Sequence, residues 1–302
     1  LRGDSSLKDE LRVVGVGLVT QQPPAAAVSL AQAPSPLTLI QKSADEALEA
    51  VKKDWKALKD LSEQQKNNPT IVKLAVAQNG QALQHASDEL KGDRTIVLAA
   101  VSQRGHAWRA LSYASPEMKK DREVVMAAMQ QNGSALQFAA PVLKGDRNVV
   151  LEAVAQNGDA LKHASEQLRA DRDVVLRALE QKGDALKHAS EQLRADRDVV
   201  LRALEQKGDA LKHASEQLRD DRDLVLEAVA RSGSSLKHAS EQQQSDRGVV
   251  LQAVAQNGSA LEYASEELRG DRGVVLEAVA QNGSALKYAS EELRGDRGVV
   301  LE

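Results

Sequence analysis

DRDVVLRALEQKGDALKHASEQLRA fills residues 171–195, and residues 196–220 repeat it with a single change, Asp220 in place of Ala195. The Asp-Arg step returns at Asp93, Asp121, Asp146, Asp171, Asp196, Asp221, Asp246, Asp271 and Asp296, 25 residues apart throughout except for 28 between Asp93 and Asp121. Asn68-Pro69 takes the same place one period earlier, so nine complete units run over 68–295 and a tenth starts at Asp296. A short fixed period marks a repeat array, in which each unit buries its apolar face only against its neighbours. The sequence therefore predicts an all-α helical-repeat solenoid.

Within unit 196–220, Asp196 is placed as an N-cap, as Asp171 is one unit earlier, because its carboxylate can accept from the unpaired N–H groups of the next turn. Val199, Val200, Ala203 and Leu204 then lie on one helical face, which we name helix A. Gly208, like Gly183 before it, is expected to end helix A in the left-handed region that glycine enters at little cost. Asp209 would cap a second, shorter helix B carrying Leu211 and Ala214. Pro116 and Pro141 fall at the position of Glu216. Proline suits a first helical turn and disfavours an interior. Helix B is therefore expected to stop near Ser215, with a separate one-turn connector over 216–219 delivering Leu218 to the core.

Charge is balanced, with 40 basic and 44 acidic residues and a net charge of −4. The signs alternate along each unit, which excludes the clustered Lys and Arg of a nucleic-acid binder. The absence of cysteine excludes disulfides and thiolate metal sites. Residues 13–20, VVGVGLVT, are apolar but too short to span a bilayer; they read as part of an extended arm, with a targeting segment as the alternative. Residues 21–37 are rich in Pro, Ala and Ser, a linker composition. The chain opens on Leu1, which fits either a processed protein or a fragment. The expected organisation is an arm over 1–42, a capping helix over 43–67 opened by a Ser43–Glu46 capping box, and the array over 68–302.

Two units depart from the pattern. Unit 93–120 has His106-Ala107-Trp108 extra, and Trp108 either folds back on the repeats or anchors a partner, since Trp is enriched at interaction hot spots. Unit 221–245 has Gln243 where Leu193 and Leu218 stand, a weak joint or a polar contact, because a buried amide costs stability unless it is hydrogen-bonded.

The unit seen at 271–295 as DRGVVLEAVAQNGSALKYASEELRG resembles the repeat family catalogued as domain of unknown function 4116, and the likeness covers residues 68–302. The resemblance implies helical repeats. The family, which occurs in algae, other protists and some intracellular bacteria, brings no catalytic residues to carry over.

Chemistry is sparse. His85, His163, His188, His213 and His238 share one slot, but Phe138, Tyr263 and Tyr288 occupy it too, so a packed ring is expected and no metal. Zinc needs nitrogens about 2.0–2.1 Å from one ion, whereas equivalent atoms in stacked helices lie about 8–10 Å apart. The Arg after each capping Asp is expected to pair with the adjacent repeat. Arg-Gly-Asp at 2–4, 269–271 and 294–296 matches an adhesion tripeptide, but inside the array its Asp is a cap. No nucleotide loop, zincin motif or recurring Ser–His–Asp site is present. The expectation is a non-catalytic scaffold that binds a protein partner, without cofactor or metal, in the form of a peripheral subunit of an organellar assembly. The candidate contact residues are Val13, Val14, Leu18, Leu37, Leu39, Ile40 and Trp108. An RNA-binding repeat protein and a regulatory module of an enzyme are the alternatives.

Overall fold

The computed structural model describes residues 36–103 and 105–300. The chain divides into two units, 1–41 and 42–302. Among the described residues every regular element is helical, and unit 42–302 is a tandem array.

One repeat shows why. Helix A of the repeat at 196–220 spans Arg197–Gln206. Asp196 caps it, its Oδ1 accepting from the backbone N–H of Asp198 at 3.0 Å and of Val199 at 3.1 Å. Val199, Val200, Ala203 and Leu204 are all fully buried. The chain turns at Lys207 in extended backbone and enters helix B, Gly208–His213, which is a 3₁₀ helix. Ser215 then caps a third element, C, the single turn Glu216–Asp220, as the prolines at its first position in Pro116–Lys120 and Pro141–Lys144 required. Successive A helices and successive B helices pack side by side, and one backbone hydrogen bond per joint stitches the C turns together, as from Ser215 N to Arg194 O at 2.8 Å.

Three expectations need correction. Helix B is 3₁₀ and not a short α-helix. Its six residues set Gly208 and Leu211 one above the other at i, i+3, and both are buried. Secondly, the glycines that end helix A do not adopt positive φ; among the described residues only Gly105 does, at 85°. Close packing is the reason for glycine there. A Cβ on Gly183 would sit 2.5 Å from the carbonyl oxygen of Ala203 in the next repeat, and one on Gly208 would sit 2.8 Å from that of Ala228. The residue before the glycine caps helix B, as where Asn257 accepts from Ser259 N at 3.1 Å; Asp209 has no such role, and Lys207 makes no side-chain cap.

Thirdly, residues 43–67 are not one capping helix. Helix Pro36–Lys53 is followed by the 3₁₀ helix Trp55–Asp60 and the turn Glu63–Lys66, which is a further A–B–C unit in divergent sequence. Asp54 takes the capping role of Asn79, and Leu58 takes the buried place of Leu83. The capping box lies at Ser62 and Gln65, not at Ser43, which is inside the first helix. Leu37, Leu39 and Ile40, expected in an extended arm, fall within that helix, while Val13, Val14 and Leu18 lie outside the described residues.

Candidate functional site

Each repeat presents three columns of polar side chains, one per element. Along the start of helix A, the Arg after the cap pairs with the capping Asp of the next repeat, as expected, at Arg94, Arg147, Arg172, Arg197, Arg222, Arg247 and Arg272, but not at Arg122. Arg147 Nε lies 2.9 Å from Asp171 Oδ2, and its Nη2 lies 2.7 Å from Asp173 Oδ2. The same step recurs from Arg222 to Asp246 and from Arg247 to Asp271, each at 3.0 Å. These arginines are about half exposed, so each pair adds little stability, and their guanidinium groups are engaged within the array.

Along helix B, His188 Nε2 faces Asp159 Oδ1 of the preceding repeat at 3.8 Å, and His213 Nε2 faces Asp184 Oδ1 at 3.6 Å. All four atoms are buried without a hydrogen-bond partner. Burial, with neighbouring lysines, pushes His163 and His188 down to about 4, so these rings are neutral near pH 7. Burial alone would raise Asp184, but the hydrogen bond from Lys207 and the charge of Lys212 outweigh it and hold the carboxyl at about 2. Among the described residues no three His, Asp or Glu side chains converge as a metal site.

The C turns form the third column. A groove of about 1140 Å³ runs over the turns at 191–195, 216–220 and 240–242. A smaller one of about 470 Å³ over Glu166, Arg169 and Lys187 shares Glu191 and Arg194 with it. The floor is the extended Ala-Ser step at 189–190, 214–215 and 239–240. The walls alternate between Glu191, Glu216 and Glu241 and Arg169, Arg194 and Arg219. Arg169 and Arg194 approach Glu166 and Glu191 of their own turns only to 3.8 Å, and the Nε of each is buried without a partner. Sequence reasoning missed this column. The signal was a basic residue at one slot, Lys66, Lys91, Lys119, Lys144, Arg169, Arg194, Arg219, Arg269 and Arg294, and its neighbouring acids concealed it.

Trp108 is not a surface anchor. It is only 6% exposed, with its ring centroid 5.9 Å from that of Phe138 in the next repeat and the Arg109 guanidinium 5.3 Å above it. The insertion shortens helix A to Arg94–Val101, and Gly105 turns the chain so that helix B of this repeat begins at Ala107 and buries the indole. Gln243 is 4% exposed; its Nε2 donates to Asp220 O at 2.8 Å, and its Oε1 has no partner.

These features define an all-α tandem-repeat protein whose regular surface is continuous from unit to unit. A family model described as domain of unknown function (DUF4116) matches residues 47–91, 68–109, 93–144, 146–194, 196–244 and 246–302. The chain belongs to this family. Its first match starts at residue 47, within the divergent unit that the structure adds ahead of the nine periodic ones. No curated protein matches the chain. Among the described residues no helix is long and apolar enough to cross a membrane.

Proposed function

We propose that the array is a non-catalytic interaction scaffold that holds an extended segment of a partner protein along its C turns. The observation that carries this reading is the groove. Two adjoining hollows that share Glu191 and Arg194 cover the successive turns from Glu166 to Gln242, with a Glu offered by each repeat and an Arg by the three ahead of 221–245. Stacked helices are spaced by about 8–10 Å, and three residues of extended or polyproline chain cover about the same length. A segment lying along the groove can therefore meet equivalent side chains every third residue. Solenoids commonly use extended surfaces of this kind for binding.

The test is a photo-crosslinking residue at Glu216, in the groove, against one at Arg177, on the outer face of helix A. Crosslinks to one defined partner segment from position 216 and not from 177 support the reading. Equal labelling from both positions, or none from 216, removes it. An electrophoretic shift of single-stranded RNA at low salt, competed away by excess salt, would replace it with the RNA-binding alternative.

A further inference from the structure

We propose that the joint between repeats 196–220 and 221–245 is a hinge, where the array opens first and about which the groove changes its width. Among the described residues, the buried polar side chains are Ser235 and Gln243, both in repeat 221–245. They stand where neighbouring repeats bury Ala210 and Ala260, and Leu193 and Leu268. Both hydrogen-bond back across the same joint: Ser235 Oγ to Asp209 Oδ1 at 3.3 Å, and Gln243 Nε2 to Asp220 O at 2.8 Å. The Gln243 Oε1 atom is left buried and unpaired. A joint sealed elsewhere by aliphatic contact is closed here by polar groups that water satisfies equally well once it opens, so opening costs less.

Two further features lie at the same joint. Asp220 is the one residue that distinguishes its repeat from the one before, and its turn is Glu216–Asp220 where the preceding turn is Glu191–Arg194. Leu218 in that longer turn is only partly buried, whereas Leu193 is in the core. Arg231 replaces the glutamine that ends most A helices. At two repeats that glutamine reaches the preceding one, as Gln281 Oε1 accepts from Gly258 N at 2.7 Å, whereas Arg231 bonds Glu227 of its own helix at 2.8 Å. The groove walls come from both sides of this joint, Gln217 from one and Gln242 from the other. Opening it separates the two walls, whatever the groove holds.

Hydrogen exchange followed by mass spectrometry on the full chain tests the hinge. Amides over 233–245 should exchange about tenfold or more faster than the equivalent amides over 258–270, because local opening follows the weakest packing. The double variant S235A/Q243L should slow 233–245 to the rate of 258–270. Equal rates in the native chain overturn the proposal, as does an unchanged rate in the folded double variant.

Discussion

At the scale of the residue, glycine and histidine carry the joints for reasons a sequence states only in part. The recurrence of glycine after helix A was plain, but recurrence alone does not separate a positive φ from a close approach. The carbonyl that fills the space comes from the next repeat. The two causes predict different substitutions. Gly183→Ala puts a methyl 2.5 Å from Ala203 O and should cost about 1–3 kcal/mol by overpacking. Gly145, which ends a C turn at φ −96°, would meet nothing nearer than 3.7 Å, so Gly145→Ala should leave the urea midpoint unchanged or slightly raised. Equal losses at both sites would contradict the packing account. The histidine column predicts acid lability. His163 and His188 have folded pKa values of about 4 against an ordinary 6.5, so their unfolded forms bind protons first as pH falls. Their contribution is complete above about 6.5 and is lost as pH falls toward 4, at up to about 1.4 kcal/mol per pH unit for each ring. Asp184, held at about 2, acts in the same direction at lower pH. Melting temperature should therefore fall between about pH 7 and pH 4.5, and H188F/H213F, which places at both sites the ring type of Phe138, should flatten that dependence.

At the scale of the element, boundaries were legible wherever one side chain decides them. The capping Asp marks the start of helix A, and Pro116 and Pro141 mark the start of C. Helix B was not legible as 3₁₀, since Leu211 and Ala214 at i, i+3 satisfy an α-helix as well, and the choice is made by packing against the next repeat. The divergent unit over 43–67 was hidden for a similar reason. Asp54-Trp55 stands where every periodic unit has a glycine, most often as Asn-Gly, and the equivalence shows in the Asp54 cap and the buried Leu58. The proline rule gives a contrast that checks the boundary between B and C. Glu216→Pro places proline at the first position of C, after a Ser215 that is already extended at φ −61° and ψ 160°, and should change the unfolding free energy by less than about 1 kcal/mol. Leu201→Pro, in the middle of Arg197–Gln206, should cost about 3 kcal/mol or more. If urea unfolding shows similar losses for both, B and C form one continuous element in solution.

At the scale of the whole molecule, the periodicity makes the array nearly a sum of joints, and the groove exists only at this scale. Its walls come from three successive turns, which is why no single unit of sequence displays it. Nearest-neighbour stability also makes a whole repeat removable. Deleting 171–195 joins Ala170 to Asp196 and recreates every cross-joint partner: Asp196 and Asp198 replace Asp171 and Asp173 opposite Arg147, and Lys207 replaces Lys182 opposite Asp159. The shortened chain should fold, with a denaturant slope lower by roughly a tenth in proportion to the surface lost. Deleting 221–245 removes the same length but takes Ser235, Gln243 and Arg231 with it, so that Ala260, Leu268 and Gln256 seal the joint to repeat 196–220. Apolar contact then replaces a buried amide with an unpaired oxygen, and the second deletion should have the higher urea midpoint of the two. Chain length is equal in the pair, so the comparison isolates the quality of one joint. A midpoint for the second deletion equal to or below that of the first would mean that the polar joint is as strong as its apolar neighbours.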